Sequence, residues 1–414
     1  MLTLAVACLI VLCAWYEYVA GAYSQVPLPT EPLPFRTTTF DHFELVDTRR
    51  VDPYFGGPRK LMLSLFYPCS GNHSIACDLV IRRYLPRTTA EHLDPLLRSL
   101  DILDMLDVWD LEFVEACLEP PEHDMRANYP IVLFSHGLNS SRLLSSDQAQ
   151  RLAMKGFAVI TIDHPGTARV VTWLNGSTSL SADFGTNTMV DQAVRVRSED
   201  ISFVLDQLED IDSDLNALFP YRIPGDPSKT SPNGSSVALL GHSLGGATGL
   251  RNAFDDGRLA GIANLDGYPF GFNTTGTTLP FEPVFSLPSS VSKVPTLLFN
   301  VPQQIRSTAF TELYHRLPVG KRLQLSLRGA GHWTFTDLPF IIARRNGSDK
   351  LPGRLGPGAE ENLGTINGIV AMNATVYHLA AFFDVVLKGK KWSSLLAPDA
   401  TYPEVSVARP RPGE

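Results

Sequence analysis

Gly241-His242-Ser243-Leu244-Gly245-Gly246 is the stretch on which the reading of this chain turns. The apolar run Val237-Ala238-Leu239-Leu240 leads straight into it, and the small residues Gly245, Gly246 and Ala247 follow. A buried strand that ends in G-x-S-x-G and turns at once into a helix forces the central serine into strained dihedrals, so its neighbours must lack side chains. The turn lifts the Ser243 hydroxyl above the C-terminal edge of a sheet. It also sets it at a helix N-terminus, where backbone N–H groups favour developing negative charge. Ser243 is therefore a candidate nucleophile.

Working outward, short β-rich runs alternate with helical ones. Ile131–Phe134, Phe157–Ile162, Val237–Leu240, Gly261–Leu265, Thr296–Phe299 and Leu323–Leu327 read as buried parallel strands. Phe43–Val46 and Leu61–Phe66 precede them as further strands. Helical periodicity covers Asp147–Lys155, Val190–Leu208, Thr308–His315 and about Ile366–Leu387. With the elbow, this alternation predicts an α/β-hydrolase fold, a mostly parallel central sheet with helices on both faces, in one domain over residues 23–414. The stretch after Lys391 reads as irregular.

In this fold the chain order is nucleophile, acid, histidine. His315, His332 and His378 follow the elbow, and the first and last lie inside helical patterns. His332, in Gly329-Ala330-Gly331-His332-Trp333, falls in a loop after the last strand run and is the candidate base. The loop after Thr296–Phe299, Asn300-Val301-Pro302-Gln303-Gln304, holds no carboxylate, so an earlier strand must supply the acid. Asp266 ends the run Gly261–Leu265 at the same edge, where a carboxylate can hold the imidazole tautomer; Asp163, after Ile162, is the rival. Phe134-Ser135-His136-Gly137-Leu138 matches the turn from which such folds donate one oxyanion N–H. Leu138 and Leu244 are the expected amide donors, and His136 is expected to orient the turn.

Composition narrows the partners. A net charge of -8 over 414 residues provides no basic field for a nucleic-acid backbone. No Gly-rich dinucleotide turn, His-Glu-x-x-His or clustered Cys/His spacing appears, so no cofactor and no metal is expected. Residues 1–22 read as a signal peptide, from the apolar run Met1–Trp15 and the small residues Ala20-Gly21-Ala22, which predicts secretion; an uncleaved membrane anchor is the alternative. The mature chain then keeps Cys69, Cys77 and Cys117, enough for one disulfide, with Cys77 and Cys117 favoured. Sequons stand at Asn72, Asn139, Asn175, Asn233, Asn273, Asn346 and Asn373, of which Asn139 is expected to stay bare beside the site. A Cys-bounded insertion at about 68–120 carries leucines from Leu93 to Leu106 at helical spacing, either a helix packed on the body or a lid over residues 91–108.

Four pieces together resemble the platelet-activating-factor acetylhydrolases of the plasma type and their secreted fungal relatives. They are Phe134-Ser135-His136-Gly137-Leu138, Gly241-His242-Ser243-Leu244-Gly245-Gly246-Ala247, Gly261-Ile262-Ala263-Asn264-Leu265-Asp266-Gly267 and Gly329-Ala330-Gly331-His332. The resemblance, over about Arg59 to Leu387, implies a calcium-independent serine esterase releasing short sn-2 acyl groups from phospholipids. It implies Asp266 as acid and Leu138 and Leu244 as oxyanion donors. It also implies peripheral contact with lipid surfaces, for which the apolar run Leu338-Pro339-Phe340-Ile341-Ile342 is the candidate patch, a buried helix being the other reading. Two other classes stay open: an esterase of soluble or polymeric substrates resembling cutinases and dienelactone hydrolases, and a non-catalytic binding protein on the same fold.

Overall fold

All six runs read as parallel strands are strands of one sheet, because each alternates two sets of apolar side chains between two helical layers. In β5 and β9, for example, Ile131, Leu133, Val237 and Leu239 pack on one face, and Val132, Phe134, Ala238 and Leu240 on the other. The computed structural model describes residues 36–69, 79–102, 112–117, 129–210, 212–217, 237–270, 292–345, 357–396 and 400–409. The strands are β1 (Arg36–Val51), β2 (Pro58–Cys69), β3 (Leu79–Arg83), β4 (Glu112–Cys117), β5 (Ile131–Ser135), β6 (Ala158–Asp163), β7 (Val170–Thr172), β8 (Thr178–Leu180), β9 (Val237–His242), β10 (Ile262–Leu265), β11 (Thr296–Asn300), β12 (Arg322–Leu327) and β13 (Val405–Arg409).

The main sheet has the order β1-β2-β6-β5-β9-β10-β11-β12-β13. β6, β5, β9, β10, β11 and β12 are parallel, while β1, β2 and β13 join antiparallel at the two sides. From β5 the chain first moves to β6 on one side and then to β9 on the other. The loops after β5 and β9 thus diverge at a switch of strand order, where open α/β sheets form their crevice. Ser135 and Gly241 are register partners there, so the two loops start level with each other.

The helices Ser146–Met154 and Gly368–Lys388 cover one face, and Asn187–Glu209 covers the other. The last helix starts two residues later than the periodicity suggests, because the Asn367 side chain caps it by accepting from the Ile369 and Val370 amides. Gly389, at φ 72°, ends it in the left-handed conformation.

Two expectations are corrected. Part of the stretch after Lys391 is regular: Trp392–Leu395 is a 3₁₀ turn, and β13 pairs with β12 from Gln324 to Leu327. A lone edge strand leaves no period in its own sequence; its pairing partner decides it. The run Leu338–Ile342 is no exposed patch, since Leu338, Phe340, Ile341 and Ile342 are all buried. Leu338, Ile341 and Ile342 are covered by Ala90, Leu93 and Leu97 of the insertion helix Arg87–Ser99, whose apolar face needs a partner. The insertion also carries the antiparallel pair β3 and β4, which its polar sequence did not suggest. Residues 1–22, Cys77, Leu103, Leu106 and the sequons at Asn72, Asn233, Asn273 and Asn346 lie outside the described residues.

Truncation of the buried Phe340 to Ala is expected to cost about 3 to 5 kcal/mol of unfolding free energy, read from a urea transition. A variant as stable as the parent would contradict this packing.

Candidate active site

The elbow exists because three glycines let backbone approach backbone. A Cβ on Gly241 would fall onto the Gly245 carbonyl, one on Gly245 onto the Ser135 carbonyl, and one on Gly267 onto the Ser243 carbonyl. The helix Leu244–Asp255 therefore begins pressed against the ends of β5 and β10. Ser243, between β9 and this helix, is held at φ 53° and ψ -119°, a conformation costing of order 1–3 kcal/mol for a side-chain residue. Asp266 takes the same unusual φ of 53° at the end of β10.

His332 bridges the two. Its Nε2 stands 2.9 Å from Ser243 Oγ and its Nδ1 2.7 Å from Asp266 Oδ2. Asp266 is buried, and its other oxygen, Oδ1, accepts from the Val301 amide at 3.1 Å. The loop after β11, which holds no carboxylate, thus steadies one that comes from β10. Since the carboxylate can only accept, Nδ1 carries the proton and Nε2 presents a lone pair to the Ser243 hydroxyl. The turn bearing His332 is tied down as well: Gly331 N–H donates to Thr334 Oγ1, which donates to the Leu363 carbonyl. His315 and His378 lie in the helices Thr308–Arg316 and Gly368–Lys388, away from this chain of bonds. Asp163 is not part of it either: buried at the end of β6, it is paired with Arg142 and accepts from the Arg142 amide at 2.7 Å.

The turn after β5 comes up beside Ser243, since a Cβ on Gly137 would stand 3.2 Å from Ser243 Cβ. Among the described residues, the amides of Leu138 and Leu244 donate to no protein acceptor. Asn139 follows at φ 55°, half-buried, with its amide on the Thr167 carbonyl at 3.0 Å. No group of three or more His, Cys, Asp or Glu side chains able to hold a metal occurs among the described residues.

Apart from His136, sequence reasoning missed the layer below. Arg197, Asp200 and Arg59 are buried, as are His136, His164 and His242. His164 links Asp200 to Ser135, with Nδ1 2.9 Å from Asp200 Oδ2 and Nε2 3.0 Å from Ser135 Oγ. Arg59 grips both Asp200 oxygens, at 3.0 and 2.7 Å. Burial opposes ionisation of Asp200, but Arg59 and the hydrogen bonds from His164 and Arg59 outweigh it and hold the carboxyl below its usual range. His242 Nε2–H donates to the His332 carbonyl at 2.9 Å, bracing the backbone of the histidine that faces Ser243. The available signal was in the helix Asn187–Glu209, where Arg197 falls on the same stripe as Val190, Val194 and Ile201. A charge on an apolar stripe marks either a buried pair or a site.

Residues 59–355 match the family model described as platelet-activating factor acetylhydrolase, isoform II. The chain belongs to that family. A probable 1-alkyl-2-acetylglycerophosphocholine esterase of Arthroderma benhamiae is 28% identical over 91% of this chain and 92% of its own. The platelet-activating factor acetylhydrolase of Cavia porcellus is 25% identical over 66% of this chain and 61% of its own. Among solved structures, a ferulic acid esterase from Streptomyces cinnamoneus superposes with a TM-score of 0.66 at 26% identity, covering 92% of this chain and 98% of that one. Fold and family agree, and the protein is a carboxylic ester hydrolase of the α/β-hydrolase type.

The buried histidines set a pH response. Burial lowers His164 from 6.5 to about 4 and His242 to about 3, and with the Arg197 cation it holds His136 well below its ordinary value. Between those values and 6.5 the unfolded chain binds protons that the folded one refuses, so stability rises with pH there. The unfolding free energy should fall from pH 7 to pH 5 by up to about 1.4 kcal/mol per pH unit for each histidine, and the urea midpoint should fall with it. A midpoint unchanged or raised at pH 5 would contradict the neutral, buried assignment.

Proposed function

We propose that the chain hydrolyses short acyl esters at the sn-2 position of ether phospholipids, with Ser243 as nucleophile, His332 as base, and Asp266 holding the imidazole. The observation carrying the catalytic part is the hydrogen-bonded series Ser243–His332–Asp266 on a strained elbow. The substrate part is supported by the names of the fungal and mammalian relatives.

Ser243 Oγ attacks the ester carbonyl carbon while its proton passes to His332 Nε2, and the carbonyl oxygen becomes an oxyanion facing the Leu138 and Leu244 amides. The tetrahedral species collapses, the C–O bond to the glycerol oxygen breaks, and His332 returns the proton to that oxygen. Water, deprotonated by His332, then attacks the acyl-Ser243 carbonyl; the free acid leaves and Ser243 regains its proton. Asp266 stabilises the imidazolium at each stage and holds its tautomer between them.

A second reading, hydrolysis of soluble aromatic or polymeric esters, is favoured by the likeness to the ferulic acid esterase over nearly the whole chain. The assay that separates them sets p-nitrophenyl acetate, a methyl hydroxycinnamate and a 1-alkyl-2-acetyl phospholipid side by side. A higher kcat/KM on the phospholipid supports the first reading; turnover of the cinnamate with an untouched phospholipid supports the second. Ser243→Ala should abolish turnover of each, and Asp266→Asn should lower kcat roughly 10³- to 10⁴-fold with folding intact. An active Ser243→Ala variant would sink the assignment.

We also infer secretion from the apolar run Met1–Trp15 and the Ala20-Gly21-Ala22 site. N-terminal sequencing of protein from culture medium should begin near Tyr23; protein retained in the membrane fraction with Met1 intact would refute cleavage. Asn175, exposed where the chain turns between β7 and β8, is the accessible described sequon for a glycan on that route.

A further inference from the structure

Arg197 has no exposed surface and, among the described residues, no carboxylate within salt-bridge distance; carbonyl groups surround it instead. Its Nη1 donates to the His136 carbonyl, and its Nη2 reaches the Gly137 and Thr167 carbonyls, each at 3.4 Å. Its Nε donates to Thr167 Oγ1 at 2.8 Å, and the Thr167 carbonyl in turn accepts from the Asn139 amide at 3.0 Å. Burial lowers the guanidinium to about 9, against the pull of Tyr54 and Asp200, so at neutral pH it remains a cation. Burying a charge this deeply without a directly paired anion is costly, and the groups it touches are those of the turn beside the nucleophile.

Geometry gives the contact its meaning. In a trans peptide unit the C=O and N–H point to opposite sides. The carbonyls of His136 and Gly137 face Arg197, so the N–H groups of the same units, those of Gly137 and Leu138, face away from it. Gly137 lies against Ser243 on its other flank, a Cβ there standing 3.2 Å from Ser243 Cβ. His136 reinforces the orientation: its Nδ1–H donates to the Gly137 carbonyl at 2.6 Å.

We propose that Arg197 is a positioning residue for the oxyanion hole: by holding the His136 and Gly137 carbonyls it aims the Leu138 amide at the reacting carbonyl and polarises that peptide as a donor. A cation behind the carbonyl end of an aligned peptide deepens the positive potential at its N–H end, and because Arg197 itself is fully buried its field is little screened on that side. The gain appears when charge develops on the substrate oxygen, not when neutral ester binds. The inference rests on the esterase reading above.

The test uses Arg197→Met, Arg197→Lys and, as a milder change should Arg197→Met fail to fold, Thr167→Val, which removes only the hydroxyl accepting from Nε. Each is measured for kcat and KM on p-nitrophenyl acetate and for inhibition by an alkyl trifluoromethyl ketone and by the corresponding secondary alcohol. Ser243 Oγ adds to the ketone carbon, its proton goes to His332, and the ketone oxygen becomes an oxyanion; the alcohol occupies the same pocket without that charge. Arg197→Met should lose about 10- to 100-fold in kcat with KM within about twofold. Its ketone Ki should rise by the same factor while the alcohol Ki stays put. Arg197→Lys should recover part of both, and Thr167→Val should show a smaller parallel loss. If the folded variants keep the parent kcat, or if ketone and alcohol weaken equally, Arg197 serves packing alone and the proposal falls. A parent protein inert to both ester and ketone would overturn the esterase reading and this inference with it.

Discussion

Ser243 at φ 53° and ψ -119° is the constraint from which the remaining geometry follows. In ordinary strand dihedrals its hydroxyl would lie along the sheet edge rather than above it, and neither His332 nor the Leu244 amide would be within reach. The strain persists because the neighbouring backbone leaves no other path: Gly241, Gly245 and Gly267 each bring main chain to within contact of main chain where any side chain would collide. Small residues here are a packing requirement, and the packing aims the hydroxyl.

Around that elbow the fold distributes two kinds of support. Apolar layers fix the strands in register, so that Ser135, His242, Leu265, Asn300 and Leu327 all end at one edge and their loops share one crevice. Beneath the crevice, on the side of the turn after β5, lies a buried polar layer of Arg59, Asp200, His164, Arg197, His136, Asp163 and Arg142. Buried charges rarely add stability over apolar packing, but breaking one partner of such a set leaves an uncompensated charge. A layer of this kind therefore holds a turn in one conformation, which is what a preorganised donor demands. The acid-sensitive histidines are its cost in pH range.

On the other side of Ser243 the support is apolar. The insertion helix Arg87–Ser99 covers Trp333, Leu338, Ile341 and Ile342, immediately beyond His332, and Asp337 joins this region to the helix Ser146–Met154 by accepting from the Asp147 and Gln148 amides. Burial and the neighbouring Asp147 charge raise the Asp337 carboxyl well above its ordinary range. The segment read as a possible membrane-facing patch is thus spent on bracing the histidine turn.

The order of the central parallel strands and their helices, the elbow, and the choice of Ser243, His332 and Asp266 as candidates were legible in the linear chain, because each leaves a local signature: a two-residue or 3.6-residue period, glycines at fixed offsets, or a histidine in the loop after the run that becomes β12. What tertiary structure alone decided was whatever depends on a distant partner. β13 exists only because β12 has a free edge; Leu338, Ile341 and Ile342 are covered by an insertion more than 200 residues earlier, while Phe340 enters the main core; Asp163 goes to Arg142 rather than to His332 because β6 and β10 are separated by two strands. Arg197 is the sharpest case. Its sequence position says only that a charge lies on an apolar helical stripe, and which carbonyls it meets is fixed by where the turn after β5 comes to rest.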